Sequence, residues 1–423
     1  MSKVLIIRTE GLPFRVRMSK VIWSILASDW ECDILIPEGK LGNINIGREM
    51  GFDVSEKVRV LEYSKNKKFK SSMTKLFRGS SGVVCDKGLA DYLEQLIKKV
   101  TYDVIMVKDT PALPIVFRIL AKTGRKEIRV VCDMHENTPA YIYDSRIRFG
   151  NPYSRQMSIL RGNVPELIAV ERELLPQCDH IFVVIEEYKQ HLIDKYGIEP
   201  ARITVALNVE FLKFFDKIAD EKLPIQSDEV ILSYIGGINP FRGLDLLIEV
   251  AGKLIKNNVP PFRIYVVGAS LKRRKELKKL VVKFDAEKVL TIIDFVPHNT
   301  AMNWIRQSDF GIIPHRDTEL IRTTIPNKLF QYMSASVPCI VSDVGPLGRI
   351  VKENNCGLTF IPEDKDDLER VLIYAITHCN ELKLLGINGR NVVEKKYKWE
   401  IAEKGYRVYF SDVKDEKIFE AVK

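Results

Sequence analysis

Nowhere in this 423-residue chain does an apolar run approach the roughly 18–20 residues needed to cross a bilayer. Its 46% hydrophobic and 29% charged residues are the mixture of a soluble globular protein. The seven cysteines, at positions 32, 85, 132, 178, 339, 356 and 379, are scattered and odd in number. Without a CxxC pair they imply neither a zinc site nor a disulfide framework, and a reducing cytoplasm fits them best. The GxGxxG spacing of a dinucleotide fold is missing, and no short internal repeat occurs. Histidine is scarce, with six in the chain, which narrows the candidates for proton transfer near neutral pH. The opening MSKVLIIRTE turns polar too soon for a signal peptide and reads as a first strand.

What the chain does carry is positive charge. A formal net +9 favours phosphate-rich partners, whether nucleic acid, an anionic membrane surface or a charged substrate. Nucleic acid is the weakest of these, because the basic residues do not interleave with aromatics as stacking platforms would. The length favours two domains of about 200 residues each. Strand-like runs alternate with helical patterns throughout: KVLIIR, CDILIP, YDVIMVK, IRVVCD, HIFVVI and RITVAL, then VILSYIGG, FRIYVVG, LTIIDFV, FGIIPH and PCIVSD. Such alternation is the βαβ signature of parallel sheets. Composition changes after Asn208, where a charged stretch from Lys213 to Asp228 precedes a fresh strand at Val230. The expected division is therefore residues 1–210 and 211–404, with a C-terminal helix, 405–423, returning to complete the first domain.

Chemistry concentrates at a few strand ends. In TTIPNKLFQYMSASVPCIVSD, Thr323 to Asp343, Pro326 fixes its own φ and keeps Ile325 out of the helical region, so a helix can begin at Pro326. Thr323 and Thr324 are expected to cap it, and Lys328 and Gln331 share one face. A helix N-terminus of this kind favours phosphate by roughly 0.3–1 kcal/mol, or about 2 when partly buried. In SYIGGINPFRGLDLL, a strand ends at Gly236 and Gly237, and Arg242 stands just before a helix. Glycine admits a ligand to the backbone, and a guanidinium offers a planar fork for phosphate oxygens. Strand ends gather on one edge of a doubly wound sheet, so both segments can meet at one phosphate site. An ordinary αβ unit with solvated polar residues has the same local pattern.

In the first half, VVCDMHENTP places Asp133, His135 and Glu136 just beyond a strand. His135 is the best proton-transfer or sugar-contacting candidate; a structural histidine tied to Asp133 is its alternative. Asp109 ends the preceding strand, as a ligand group or as an N-cap before Pro111. Glu10, Gly11 and Arg15 follow the first strand at the same edge and are candidate acceptor contacts. Arg146, Arg148, Arg155 and Arg161 form a basic connecting region suited to a polyanion or to solvent. The segment from Lys65 to Arg78, KNKKFKSSMTKLFR, has no acid and spaces Phe69, Met73, Leu76 and Phe77 helically. It suits an anionic leaflet, each basic residue contributing roughly 1 kcal/mol, or a solvated loop.

Taken together, YDVIMVKDTPALP, VVCDMHENTP, the stretch from ERELLPQCDHIFVVIEEYKQ to ITVALN, IGGINPFRGLDLLIE and IPNKLFQYMSASVPCIVSDVG resemble the group 1 glycosyltransferases, and the ordered match covers most of the chain. The resemblance implies an α/β protein of GT-B architecture, with two doubly wound, Rossmann-like domains whose parallel sheets face a central cleft. It implies a UDP- or GDP-linked sugar held by the second domain, through Gly236, Gly237, Arg242, Thr323, Thr324, Ile325, Pro326, Asn327, Lys328 and Gln331. A glycan or lipid-linked acceptor is held by the first, through Glu10, Gly11, Arg15, Asp109, His135 and Glu136. A hexose is transferred with retention of configuration, in cell-surface polysaccharide or glycoconjugate assembly, in the cytoplasm or at the inner face of the membrane. Metal and cofactor are not expected. Arg242 and Lys328 would neutralise the leaving diphosphate, a preorganised stabilisation of transition-state charge, and His135 would contact the transferred sugar.

Two departures from the family pattern stand out. The family commonly carries two glutamates eight positions apart, and here those places hold Thr323 and Gln331; an arginine common at the place of Gly237 is also missing. The second glutamate usually accepts ribose hydroxyls. Its replacement exchanges a charge-assisted bond of about 1.5–3 kcal/mol for a neutral one of about 0.5–1.5, so weaker rather than abolished binding is expected. These substitutions keep open a non-catalytic GT-B subunit that binds a nucleotide sugar or a partner enzyme. A sugar-nucleotide epimerase, with Glu319 as a candidate carboxylate, is the remaining alternative.

Overall fold

The structure, a computed structural model, describes residues 2–9, 16–39, 58–64, 86–160, 162–225 and 228–422. It divides into two compact units, one of residues up to 208 together with those from Ala402 onward, the other Val209–Ile401.

Seven strands build the sheet of the first unit: β1 (Lys3–Ile7), β2 (Glu31–Pro37), β3 (Val58–Tyr63), β4 (Val104–Lys108), β5 (Arg129–Met134), β6 (His180–Val183) and β7 (Ile203–Val205). Their order is β3-β2-β1-β4-β5-β6-β7, and every neighbouring pair is parallel. Helices cover both faces of such a sheet, which is why its inner strands read as unbroken apolar runs; β4 is buried at every position. From the C-terminal segment, Phe410 stacks edge-on against Trp30 and accepts a hydrogen bond from its indole at 3.0 Å.

The second unit repeats the plan with six strands: β8 (Val230–Ile235), β9 (Phe262–Ala269), β10 (Leu290–Asp294), β11 (Phe310–Ile313), β12 (Cys339–Ser342) and β13 (Gly357–Phe360). All are parallel, in the order β10-β9-β8-β11-β12-β13. The helix Leu244–Leu254 buries Leu247, Ile248, Ala251 and Leu254 against Leu232, Ile264 and Val266 of the sheet. Both units are thus doubly wound α/β. Two strands, β3 and β13, have no counterpart among the apolar runs of the sequence. Each is the outermost strand of its sheet and is mostly half-exposed, so its residues need not be continuously apolar. Among the described residues no helix is long and apolar enough to cross a membrane.

Candidate functional site

In the second unit the strand order reverses between β8 and β11. Ligands of such sheets bind beyond the carboxyl ends of the strands at that crevice. From β8 the chain passes Gly236, at a φ of +117° open to glycine but not to side chains, and makes a 3-10 turn at Pro240–Arg242 before the helix Leu244–Leu254. Gly243, at φ +68°, joins turn to helix, and a Cβ there would stand 1.8 Å from the Pro314 carbonyl oxygen just after β11. Glycine therefore lets the turn lie against the end of β11. Arg316 fixes the same contact. Its amide donates to the Phe241 carbonyl at 3.0 Å, its Nε to that of Pro240 at 3.2 Å, and its Nη2 pairs with Asp245 at 2.6 Å.

Lys328 enters from the helix Asn327–Ser334. Tyr332 anchors that helix to the sheet, its hydroxyl donating to the Ser233 carbonyl at 2.7 Å, and its ring lies so close to Gly311 that a Cβ there would meet it at 2.5 Å. One turn earlier on the same helix, Lys328 Nζ sits 3.2 Å from the centre of the Tyr234 ring and close beside Gly236. The Tyr234 hydroxyl is itself fixed, donating to the Gly237 carbonyl at 2.7 Å.

These elements gather Arg242, Lys328 and His315. Arg242 Nη1 lies 3.0 Å from His315 Nε2; a guanidinium only donates, so Nε2 accepts and the imidazole proton is on Nδ1. Arg242 Nε, His315 Nδ1 and Lys328 Nζ are all buried and have no hydrogen-bond partner among the described residues. Among the described residues no carboxylate is paired with Arg242 or Lys328. Burial, reinforced by the Arg242 charge, drives the Lys328 ammonium well below the ordinary lysine range. Burial followed by the charges of Arg242 and Lys328 does the same to His315. An uncompensated buried ion costs several kcal/mol, so the cluster is chemically suited to an anion with several oxygens.

The remaining donor-side residues divide. Thr323 and Thr324 do not cap the helix that begins at Asn327; their hydroxyls donate back to the carbonyls of Glu319 (2.7 Å) and Leu320 (2.8 Å). A one-turn helix, Glu319–Arg322, precedes them, and hydroxyls following a helical turn readily bond to the carbonyl four residues back. Ile325 is buried, and Pro326 occupies the N-cap position with no side-chain cap. Asn327 opens the helix, and a side chain on Gly237 would meet open space. Gln331 Nε2 donates to Glu210 Oε1 at 2.8 Å. Glu210 is buried, so a carboxylate does stand beside position 331, supplied from another part of the chain. Glu319 is exposed. Sequence reasoning missed both Glu210 and His315: the first lies in an aperiodic connection, and the second merely ends an apolar run.

In the first unit, β4 and β5 bring Asp109, Asp133 and His135 together. Asp133 is fully buried and accepts from Arg17 (3.0 Å) and from the Tyr406 hydroxyl (2.8 Å). Although burial opposes its charge, Arg17 and then His135 hold its carboxyl far below the usual range. His135 Nε2 lies 3.1 Å from Asp133 Oδ2, so the histidine is tied to Asp133 as the structural alternative has it. Burial pushes its pKa down to about 4 despite that carboxylate. Neutral His135 donates from Nε2 and keeps the Nδ1 lone pair as an acceptor. Asp109 stands before the 3-10 turn Thr110–Ala112 without capping it. Instead Oδ1 accepts the His135 amide at 3.1 Å. Its φ of +56° is rare for a side-chain-bearing residue, and such strain clusters at functional sites. Burial raises the Asp109 carboxyl. Glu136 follows directly, its carbonyl accepting from the Tyr188 hydroxyl at 3.1 Å. Arg146, Arg148 and Arg155 are exposed. Glu10, Gly11, Arg15, Arg161 and the Lys65 to Arg78 segment lie outside the described residues.

The first unit is thus a parallel α/β sheet domain, and the second is another with a buried cationic cluster at its switch point. The model for glycosyl transferases group 1 matches residues 215–392, and that for glycosyltransferase family 4 matches residues 75–209. The chain belongs to the group 1 glycosyltransferases. It is 24% identical over 248 residues to the D-inositol 3-phosphate glycosyltransferase of Gordonia bronchialis, an alignment covering 56% of this chain and 53% of that protein. The chain spans about half the length of the curated relatives it matches. Among solved structures it is similar to the sucrose-phosphate synthase of Thermosynechococcus elongatus, at a TM-score of 0.74, 15% identity and full coverage of both chains (100% and 100%). It is also similar to Anabaena HepE in complex with UDP and glucose, at a TM-score of 0.65, 11% identity and coverage of 99% of this chain and 100% of that one. These likenesses establish the GT-B fold.

Proposed function

We propose that this chain is a hexosyltransferase that takes its sugar from a UDP- or GDP-linked donor held by residues 211–404 and passes it to a glycan or lipid-linked glycan held by residues 1–210 and 405–423. One observation carries this reading: Arg242, Lys328 and His315 bring buried, unpartnered donors to the switch point of the second unit. A nucleoside diphosphate supplies the charge and the oxygens they lack. The presence of UDP and glucose in the similar Anabaena protein is consistent with such a donor.

In this reaction the bond from the anomeric carbon to the diphosphate breaks and a bond to an acceptor hydroxyl oxygen forms on the same face. The hydroxyl proton passes to the departing phosphate oxygen. Arg242 and Lys328 stabilise charge developing on that oxygen, and removing one such donor typically costs about 10²–10³ in rate. Metal is unnecessary in this scheme because the cations are side chains. Neutral His135 offers Nδ1 to a sugar hydroxyl, while Asp109 and Glu136, with Gly11, Glu10 and Arg15, serve the acceptor. The Lys65 to Arg78 segment would place the enzyme at an anionic membrane surface in glycoconjugate assembly.

A non-catalytic reading draws on Thr323, whose hydroxyl is engaged with its own backbone, and on Gln331, whose amide is engaged with Glu210. Incubation with a panel of UDP- and GDP-sugars, with and without membrane lipid acceptors, separates the two. Transfer predicts acceptor-stimulated nucleotide release from one donor. Binding of a nucleotide sugar without release from any donor would leave the non-catalytic reading standing.

A further inference from the structure

His315 is the one member of the cationic cluster with no counterpart among the sequence-derived candidates, and its placement is unusual. It is completely buried, it directly follows Pro314, whose carbonyl bears on Gly243, and Nε2 lies 3.0 Å from Arg242 Nη1. A histidine in contact with an arginine and subject to a lysine's charge gains nothing electrostatically. Its contribution is geometric: the Nε2 lone pair is the only hydrogen-bond acceptor that any described residue offers the Arg242 guanidinium. The Phe241 ring, 5.3 Å from the guanidinium carbon, adds a face but no direction. A guanidinium with five donors on a flexible stem is held in one plane only by directional acceptors.

We infer that His315 is a positioning residue for the donor diphosphate: by accepting from Arg242 Nη1 it fixes the guanidinium so that its other N–H groups, with Lys328 Nζ, face one polyanion. The inference rests on the donor reading above. It also requires His315 to be neutral, since a protonated imidazole has no lone pair for Arg242. Burial secures that state, reinforced by Arg242 and Lys328, and holds its pKa well below the usual histidine value.

Three variants test this by titration with inorganic pyrophosphate and with UDP and GDP, alongside steady-state kinetics on whichever donor is turned over. His315→Phe fills the space and removes the acceptor. It should weaken diphosphate binding about tenfold, the worth of one hydrogen bond to a charged group, and raise KM more than it lowers kcat. His315→Gln places an amide oxygen near the Nε2 position and should recover most of that loss. Melting temperatures of both identify a variant that has simply misfolded, and Gln rescue then decides the question. Arg242→Ala is the control for the donor reading itself. If it binds pyrophosphate and both nucleotides like wild type, the donor site is elsewhere. If Arg242→Ala is weak while His315→Phe is unimpaired, or Gln does no better than Phe, the positioning role is overturned and the donor site stands.

Discussion

At the scale of single residues, two buried carboxyls make the sharpest predictions. Glu171 accepts from the Tyr196 hydroxyl at 2.6 Å and from Thr110 at 3.3 Å, yet burial pushes its pKa up to about 7. Between the unfolded value near 4.5 and about 7 the folded chain binds more protons than the unfolded one. Stability must therefore fall as pH rises across that window and level off above it. Glu171→Gln removes up to about 3 kcal/mol of that fall, so urea midpoints measured at pH 5 and pH 8 should lie closer together in the variant. An unchanged gap would show Glu171 to be ionised at neutral pH. Glu210 predicts a reversal. Restoring the family glutamate with Gln331→Glu puts a second carboxylate about where an amide now donates to Glu210, and like charges in contact at a buried site disfavour the folded state. We expect Gln331→Glu to destabilise by about 1–3 kcal/mol and Gln331→Glu with Glu210→Gln to recover it. Additive losses in that double-mutant cycle would contradict the pairing. Neither residue was fully legible in the sequence. Gln331 stands out against the family pattern, but its partner is 121 positions away, and no local period connects them.

At the scale of elements, a strand's place in its sheet sets its sequence pattern. Strands inside a parallel sheet are apolar on both faces, so runs such as YDVIMVK and VILSYI announce β4 and β8. The outer strands β3 and β13 are half-exposed and announce nothing. Strand ends were legible as glycine, proline and charge, which is how Gly236, Arg242, Asp109 and His135 could be singled out. Side-chain direction was not. Thr323 and Thr324 stand before a proline as caps would, yet a one-turn helix upstream takes their hydroxyls. At this scale Gly243 is the joint between the Arg242 turn and the end of β11. Gly243→Ala would force a Cβ at φ +68° to within 1.8 Å of the Pro314 carbonyl oxygen. The left-handed conformation alone costs about 1–2 kcal/mol, and relieving the clash moves the turn. Chemical denaturation should therefore show a loss above about 2 kcal/mol, accompanied by weaker nucleotide binding. A variant as stable as wild type would mean that the turn is free to shift.

The whole molecule is two doubly wound units whose order of elements, more than any single motif, carried the family resemblance that the comparisons then bore out. Fold class follows from alternation and length, which a sequence displays. The chemistry depends on which strand ends become neighbours, and that is settled by the reversal of strand order at β8 and β11. The proposed role of the second unit is to gather Arg242, Lys328 and His315 around a diphosphate. Its most direct test is calorimetric titration of the whole chain with UDP and GDP at pH 8 in buffers of different ionisation enthalpy. Burial and Arg242 depress the Lys328 pKa, and an arriving polyanion must raise it again, so binding should draw protons from the buffer. Wild type should take up protons with one of the two nucleotides, and Lys328→Met should bind more weakly and without uptake. Binding of equal strength and equal proton balance in both proteins, or no binding of either nucleotide, would contradict that role.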